Sequence, residues 1–156
     1  MGRPTDQNLI LRKIGFSRRI LVASPFYLAQ RGAVRRPKDL SYHDIIVTNA
    51  SLSRGGMLSL CRRKTVTEIS VRPRLTTNNA QVLVDALVAG RGIGTAQVLL
   101  VTEELKDGKL VRVLPDYEIK PTELFLVYPS ARFLRSTVRA FIDFAMPALQ
   151  RIDGIA

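Results

Sequence analysis

RLTTNNAQVLVDALVAGRGIG, residues 74–94, combines a helix start, an apolar helix, a helix end and the start of a strand in one short run. Its polar residues 76–79 are the types that accept hydrogen bonds from the free N–H groups of a first helical turn. Apolar residues then recur at helical spacing, and Gly90 stands where the helix must end. The β-capable run 92–96 follows, so the stretch predicts a loop, a capped helix, a tight turn and a buried strand. A polar helix start close to the polar end of a strand is typical of small-anion sites.

The rest of the chain alternates strand and helix patterns around this unit. Predicted strands cover residues 9–14, 19–23, 45–47, 57–61, 65–71, 109–114 and 123–128, and predicted helices cover 26–30, 98–105 and a last segment capped by Ser136. Residues 35–40 and 116–121 are predicted to be loops, and residues 57–71 form a hairpin with a basic tip. This order predicts an α/β class with a largely parallel sheet.

Length and composition indicate a soluble globular protein. The chain has 156 residues, of which 46% are hydrophobic, enough for a core of one domain or slightly more. No apolar run approaches the roughly 18 to 20 residues that a membrane-spanning helix needs, and residues 1–8 lack a signal-peptide core. Cys61 is the single cysteine, which excludes an internal disulfide and suits a reducing cytoplasm. We therefore expect a cytoplasmic protein without membrane contact.

The net charge of +11 lies entirely in the first half of the chain. Residues 1–78 contain 15 Lys and Arg against 4 Asp and Glu, and residues 79–156 contain 9 of each. Such a balance favours nucleic acid, an acidic partner or an anionic ligand. The alternative is that these side chains are ordinary solvated surface positions. No predicted helix has the basic face of a DNA-recognition helix.

The sequence does not match the motifs of catalytic or cofactor-binding sites. The cluster GRGIG at residues 90–94 follows a helix, whereas a dinucleotide fingerprint must follow a strand, and its third glycine would fall at Thr95. No serine stands in a nucleophile elbow, and His43 is the only histidine. No residues have metal-ligand spacing. We therefore expect no enzyme activity, no cofactor and no metal.

Small polar residues stand directly after apolar strands or at helix starts. They are Ser24, Thr48, Asn49, Thr76, Thr77, Asn78, Thr95 and Gln97. In an open α/β sheet such positions collect at the carboxyl ends of strands, where ligands bind. Ordinary caps and turns use the same residue types, so both interpretations stay open.

Five blocks carry a resemblance to a known family. They are RRILVASPFYLAQRG at 18–32, RPKDLSYHDII at 36–46, the stretch at 74–94, LKDGKLVRVLPDY at 105–117 and LFLVYPSARFLRSTVRAFIDF at 124–144. Together, in unbroken order, they closely resemble the effector-binding domain of LysR-type transcriptional regulators.

The resemblance implies an α/β fold like that of type 2 periplasmic binding proteins, in which two lobes joined by crossing strands hold a small inducer in their cleft. It implies a first-lobe remnant and crossover at 1–24, a complete second lobe at 25–121, and a second crossover with the last helix of a partial first lobe at 122–156. Residues 20–24 and 124–128 would be the crossovers.

The resemblance also implies where an effector binds and what partners to expect. The cleft positions are Thr48, Asn49, Thr76, Thr77, Asn78, Thr95, Ala96 and Gln97, with Ser24 and Arg19 near the crossover. The inducer is expected to be a small carboxylate or other anion, from the basic composition and the helix starts. The winged helix-turn-helix of such regulators is missing from this sequence, so DNA is expected to be a partner only through an N-terminal domain.

Two further expectations concern assembly and alternatives. The last helix has an apolar face at Val138, Phe141, Ile142 and Ala145, which a partial first lobe would leave uncovered, so a homo-oligomer is expected. The alternatives are a stand-alone small-molecule-binding protein of the same fold and non-specific nucleic-acid binding through the basic first half.

Overall fold

A computed structural model describes residues 9–53, 55–129 and 136–156. Its strands are β1 (Leu9–Ala23), β2 (Ile45–Val47), β3 (Met57–Arg62), β4 (Thr65–Ser70), β5 (Pro73–Thr76), β6 (Ile93–Gln97), β7 (Val111–Val113) and β8 (Glu118–Pro129). Its α-helices are α1 (Pro25–Arg31), α2 (Ala80–Val88), α3 (Val98–Lys106) and α4 (Ser136–Gln150), with 3-10 helices at Pro37–Tyr42 and Asn49–Ser51. No helix in these ranges is both long and apolar enough to cross a membrane.

The strands form one mixed sheet in the order β4-β3-β8-β1-β6-β2-β5, with β7 paired to β1. Only β2 runs parallel to its neighbours β5 and β6 among the described pairings, while β1, β3 and β8 make antiparallel pairs. The prediction of a largely parallel sheet is therefore wrong. A helical connection makes two strands parallel only where it joins strands that are neighbours in the sheet. Here the long strands β1 and β8 are neighbours and run antiparallel.

The predicted loop at 116–121 is also partly wrong, because β8 already begins at Glu118. The pairing of β1 with β8 shifts between Ser17 opposite Thr122 and Arg19 opposite Ile119, so β8 has one extra residue there. This bulge includes Pro121, and proline is tolerated at a bulge because no ladder hydrogen bond needs its missing N–H. The predicted loop at 35–40 likewise contains the start of a 3-10 helix.

The helix and strand of the 74–94 stretch are confirmed. Asn79 caps α2, since its Oδ1 accepts from the backbone N–H of Gln81 at 2.9 Å and of Val82 at 3.2 Å. Gly90 follows the helix with a φ of 70°, a left-handed conformation that favours glycine. β6 then enters the sheet beside β1 and β2. Local capping and the glycine stop are thus enough to set both ends of α2.

The core lies on both faces of the sheet. Along β1, Leu21 and Ala23 belong to one buried apolar cluster, and Ile20 and Val22 belong to the other. A strand that is covered on both faces needs apolar residues at every position, which explains the unbroken apolar run after Arg19. α2 and α3 cover the second face, where Leu83, Leu87 and Val101 are buried.

Gly92 has no room for a side chain, because an added Cβ would overlap the backbone oxygen of Asp44. That oxygen also accepts a hydrogen bond from the N–H of Ile93 at 2.9 Å, which fixes the start of β6 next to β2. We expect Gly92→Ala to lower the free energy of unfolding by about 3 kcal/mol, because backbone atoms must shift. Urea denaturation of the purified chain measures this difference.

Gly108→Ala is the matched control for Gly92→Ala. It has a φ of 70° but open space around the added Cβ, so it suffers only backbone strain, about 1 to 2 kcal/mol. If both variants lose equal stability, the close approach of Gly92 to Asp44 has no energetic role.

Candidate functional site

The carboxyl ends of the three parallel strands meet at one edge of the sheet. Val47 is paired with Thr76, and Ile46 with Gly94, so the residues after β2, β5 and β6 lie side by side. The N–H of Thr77 donates to the oxygen of Val47 at 3.0 Å, which extends this alignment past the strand end. Such an edge is where open α/β sheets place their ligands.

Arg19 of β1 reaches the same edge from the neighbouring strand, since it is paired with Gln97 at the end of β6. The residue is only 6% exposed. Its Nη1 donates to Thr48 Oγ1 at 3.1 Å and also to the hydroxyl of Ser51. Its Nε is buried without a hydrogen-bond partner in the described residues. Arg19 therefore has donor capacity that these side chains do not use.

Three hydroxyl groups form the surroundings of this guanidinium. Thr95 Oγ1 donates to Ser51 Oγ at 2.7 Å, and the oxygens of Thr48 and Ser51 lie 2.8 Å apart. Ser51 Oγ accepts from both Thr95 and Arg19, so its single hydrogen is left to donate to Thr48. Thr48 Oγ1 then accepts twice, and its own hydrogen remains free. The cluster consequently offers further donors and no unused acceptor on Ser51.

The electrostatics of the cluster are one-sided. Burial lowers the pKa of the Arg19 guanidinium, and the side chains it contacts are neutral hydroxyls. Arg19 makes no ion pair with an acidic side chain in the described residues. A buried charge without a counter-charge is costly, because the hydroxyl dipoles replace only part of the lost hydration. The arrangement therefore suits a bound anion, which would supply the missing negative charge.

The other predicted positions differ in what they present to this edge. Thr76, Asn78 and Asn49 are exposed there, and Thr77 Oγ1 accepts from the backbone N–H of Asn79 at 3.1 Å. Gln97 is half-buried and precedes α3 without capping it through its side chain. Its neighbour Ala96 is buried in the core cluster with Ile20 and Val22, so its side chain faces the core.

Ser24 does not join the group. It follows the end of β1, five residues after Arg19 and about 17 Å away at strand spacing, and so lies away from the polar edge. Its hydroxyl caps α1 by accepting from the backbone N–H of Tyr27 at 3.2 Å. The ordinary cap interpretation therefore explains Ser24.

Ser51 is the residue that sequence reasoning missed. It lies in the polar, glycine-containing segment 50–56 between two predicted strands, and it is buried in the 3-10 helix Asn49–Ser51 that follows β2. The N–H of Ser51 donates to the oxygen of Thr48 at 2.9 Å, which places both hydroxyls on one side. Two hydroxyl residues three positions apart after a strand were the available signal.

The remaining chemical groups have structural surroundings. His43 Nδ1 lies 3.3 Å from Tyr27 Oη, and burial lowers the pKa of this imidazole. Cys61 is a free, half-buried thiol. In residues 9–53, 55–129 and 136–156, no three His, Cys, Asp or Glu side chains are placed to hold a metal.

Comparison with known proteins gives a family match for nearly the whole chain. Residues 1–150 match the model of the LysR substrate binding domain. The HTH-type transcriptional regulators PtxR of Pseudomonas aeruginosa and DmlR of Escherichia coli are each 32% identical to the chain over 92% of its length. The chain spans about half the length of these relatives, 46% and 47%. The solved regulatory domain of AphB from Vibrio vulnificus superposes with a TM-score of 0.75 at 31% identity, covering 94% of this chain and 72% of that one.

The uncompensated charge of Arg19 has a measurable effect on stability. We expect Arg19→Met to raise the free energy of unfolding of the ligand-free chain by about 1 kcal/mol, because an apolar side chain of similar length replaces a buried unpaired cation. Urea denaturation in a buffer without organic anions measures the change.

Arg18→Met is the matched control on the same strand. Arg18 is half-exposed and forms an ion pair with Glu118, so its loss is expected to lower stability by no more than about 1 kcal/mol. The two neighbouring arginines should thus shift stability in opposite directions. A loss of stability in Arg19→Met larger than in Arg18→Met would show that Arg19 is satisfied without a ligand.

Proposed function

The chain belongs to the family of LysR substrate-binding domains, and we propose that it senses a small anionic effector for a transcriptional regulator. The observation that supports an anion is the buried Arg19 guanidinium, which donates to hydroxyl groups and forms no ion pair within the described residues. The relatives PtxR and DmlR are named as transcriptional regulators and not as enzymes, and the solved regulatory domain of AphB shares this α/β fold. No covalent chemistry is needed for the proposed role.

A small carboxylate fits the donors at this edge. The planar guanidinium presents parallel N–H groups that match the two oxygens of a carboxylate, and the free hydrogen of Thr48 adds a third donor. The exposed amide of Asn78 and the half-buried amide of Gln97 lie at the same edge and can select the body of the effector. Site residues in this proposal are Arg19, Thr48, Ser51, Thr95 and Gln97, with Asn49 and residues 76–78 at the rim.

The lobe arrangement of the family gives this site a regulatory consequence. We assign residues 25–121 to the second lobe, and residues 1–24 and 122–156 to the crossovers and part of the first lobe. In this assignment Arg19 directly precedes the crossover residues 20–24, and Thr48 and Ser51 fall in the second lobe. Arg19 also adjoins the bulge between β1 and β8. An anion bound between Arg19 and the hydroxyls of Thr48 and Ser51 favours one conformation of the crossover strands over another. This difference in affinity for the two conformations is the switch.

DNA binding and cellular location follow from the regulator role. Both relatives are named as HTH-type regulators, so we assign DNA contact to a helix-turn-helix outside the matched half of such proteins. A regulator of this type acts in the cytoplasm, where Cys61 stays reduced.

Non-specific nucleic-acid binding by the basic first half is less well supported. First-half cations pair with second-half acids in several places: Arg12 with Asp143, Lys13 with Glu123, Arg18 with Glu118 and Arg62 with Asp116. These first-half cations are therefore engaged within the fold, although the net charge of +11 is unchanged. An electrophoretic shift assay at two salt concentrations distinguishes the two functions, since phosphate contacts weaken steeply with salt.

Organic acids are the ligands to screen. An effector at 100 times its Kd is expected to stabilise the chain by about 2.7 kcal/mol in a thermal-shift assay. Arg19→Gln should weaken that effector's binding by about 10- to 100-fold, because charged hydrogen bonds contribute about 1.5 to 3 kcal/mol. Calorimetric titration of both proteins measures the ratio.

Arg91→Gln removes the same charge near the opposite end of β6 and is the control. It should bind the effector as the parent does, since Arg91 is exposed and lies away from the hydroxyl cluster. The proposal fails if only neutral compounds shift the transition, or if Arg91→Gln loses as much affinity as Arg19→Gln.

We also propose that the chain self-associates through α4. Ile142 and Met146 of this helix are buried, whereas Phe141 and Phe144 are 63% and 78% exposed and Val138 is exposed beside them. Two large exposed rings on one helix favour a covering partner, and a second copy is the simplest one.

Sedimentation velocity over a hundredfold range of protein concentration tests this association. The parent chain should sediment faster as its concentration rises, and Phe144→Glu should abolish that dependence without unfolding the helix. Val66→Glu is the control, because Val66 is a 59% exposed apolar residue on β4. A parent chain that stays monomeric at every concentration contradicts the proposal.

A further inference from the structure

The tip of the β3–β4 hairpin and the turn before β8 border a cavity that is open to solvent. It has a volume of about 300 Å³ and is lined by Arg62, Arg63, Thr65, Thr67 and Tyr117. Leu58, four residues before the tip, is bridged to Leu52 beside the hydroxyl cluster, so the cavity begins about 14 Å further along β3. It is therefore separate from the Arg19 edge.

Strained backbone occurs at Arg63, which lines this cavity, and at Leu114, three residues before the lining residue Tyr117. Arg63 has a φ of 53° and Leu114 a φ of 49°, and they are the two non-glycine residues with positive φ in the described part of the chain. Arg63 is the first residue of the two-residue hairpin turn, a position that usually takes glycine. Strain of this kind persists where surrounding structure imposes it and is concentrated at ligand sites.

The strain at Leu114 positions an aromatic ring. Leu114 is buried in the core, and its oxygen accepts from the N–H of Tyr117 at 2.8 Å, closing the turn between β7 and β8. Tyr117 is half-buried against the core and still lines the cavity. The guanidinium carbon of Arg62 lies 5.6 Å from the centre of this ring. The cavity thus combines a flat apolar wall with cationic donors.

The charges around the cavity are unbalanced. Arg62 pairs with the exposed carboxylate of Asp116 at 3.4 Å, while Arg63 and Lys64 make no ion pair within the described residues. Thr65 and Thr67 are two apart on β4, so their hydroxyls lie on the same face as Arg62. Guanidinium and hydroxyl donors converge there on a space large enough for a small ligand.

We propose that this cavity is a second binding site, for the oxyanion group of a small organic ligand whose flat body packs against Tyr117. The carboxylate or phosphate of the ligand binds Arg63 and Arg62 and displaces Asp116 from Arg62. The site does not depend on the effector edge at Arg19. It explains why arginine, and not glycine, occupies the strained turn position.

Titration of the whole chain with phenyl phosphate, followed by amide NMR at constant ionic strength, tests this site. The Arg19→Gln variant is used as the parent, so that anions at the effector edge do not contribute. Saturable shifts are expected at residues 62–67 and 117. Benzoate and inorganic phosphate show whether the site prefers a carboxylate or a phosphate and whether it needs the ring, and benzyl alcohol should not bind.

Arg63→Gly distinguishes a loss of ligand binding from a loss of stability. Glycine relieves the strain at a φ of 53°, so the melting temperature should not fall, while the Kd for phenyl phosphate should rise at least tenfold. Lys64→Gln removes the neighbouring charge, which does not line the cavity, and should change the Kd less than twofold. Equal Kd values for Arg63→Gly and Lys64→Gln, or the absence of saturable binding to the parent, would overturn the proposal.

Asp116→Asn should strengthen ligand binding, whereas Arg63→Gly should weaken it. It removes the carboxylate that competes for Arg62, so phenyl phosphate should bind about threefold more tightly. Weaker binding in this variant would show that Asp116 positions Arg62 and does not compete with a ligand.

Discussion

Hydrogen bonding along both edges of β1 is the constraint on which the rest of the structure depends. β6 pairs with one edge, and β8 followed by β7 pairs with the other, so the residues from Arg19 to Ala23 are held between strands. Apolar clusters cover both faces of this segment. This pairing and packing keep the guanidinium of Arg19 buried among hydroxyl groups despite the cost of its charge.

Several other arginines of the fold are paired with carboxylates, which makes the unpaired Arg19 informative. The basic first half and the neutral second half of the sequence meet in the fold, where Arg12, Arg18 and Arg62 pair with acids from the second half. Solvent screens such exposed pairs, so they add little to stability and mainly reduce the field of the protein. Among the described residues, the buried Arg19 and the hairpin-tip residue Arg63 form no ion pair, and these are the two places where anion binding is proposed.

The elements that the sequence predicted well are those fixed by neighbours along the chain. Asn79 and Gly90 bound α2 through contacts within a few residues, and the two-residue turn between β3 and β4 fixes that hairpin. Strand direction was predicted wrongly, because it depends on which distant strands become neighbours. β1 meets β8 across more than a hundred residues, and no local pattern records that pairing or the bulge that accommodates Pro121.

The sequence by itself indicated a polar edge of the sheet, since Thr48 follows β2, Thr76 ends β5 and Gln97 ends β6. It also indicated the family, through blocks spread along the whole chain. Only the tertiary structure decided that Ser51 joins the cluster, that Ser24 caps a helix away from it, and that Arg19 has no acidic partner among the described residues. The reason is physical: burial and charge compensation are properties of atoms brought together from distant segments, and a sequence lists those segments without their distances.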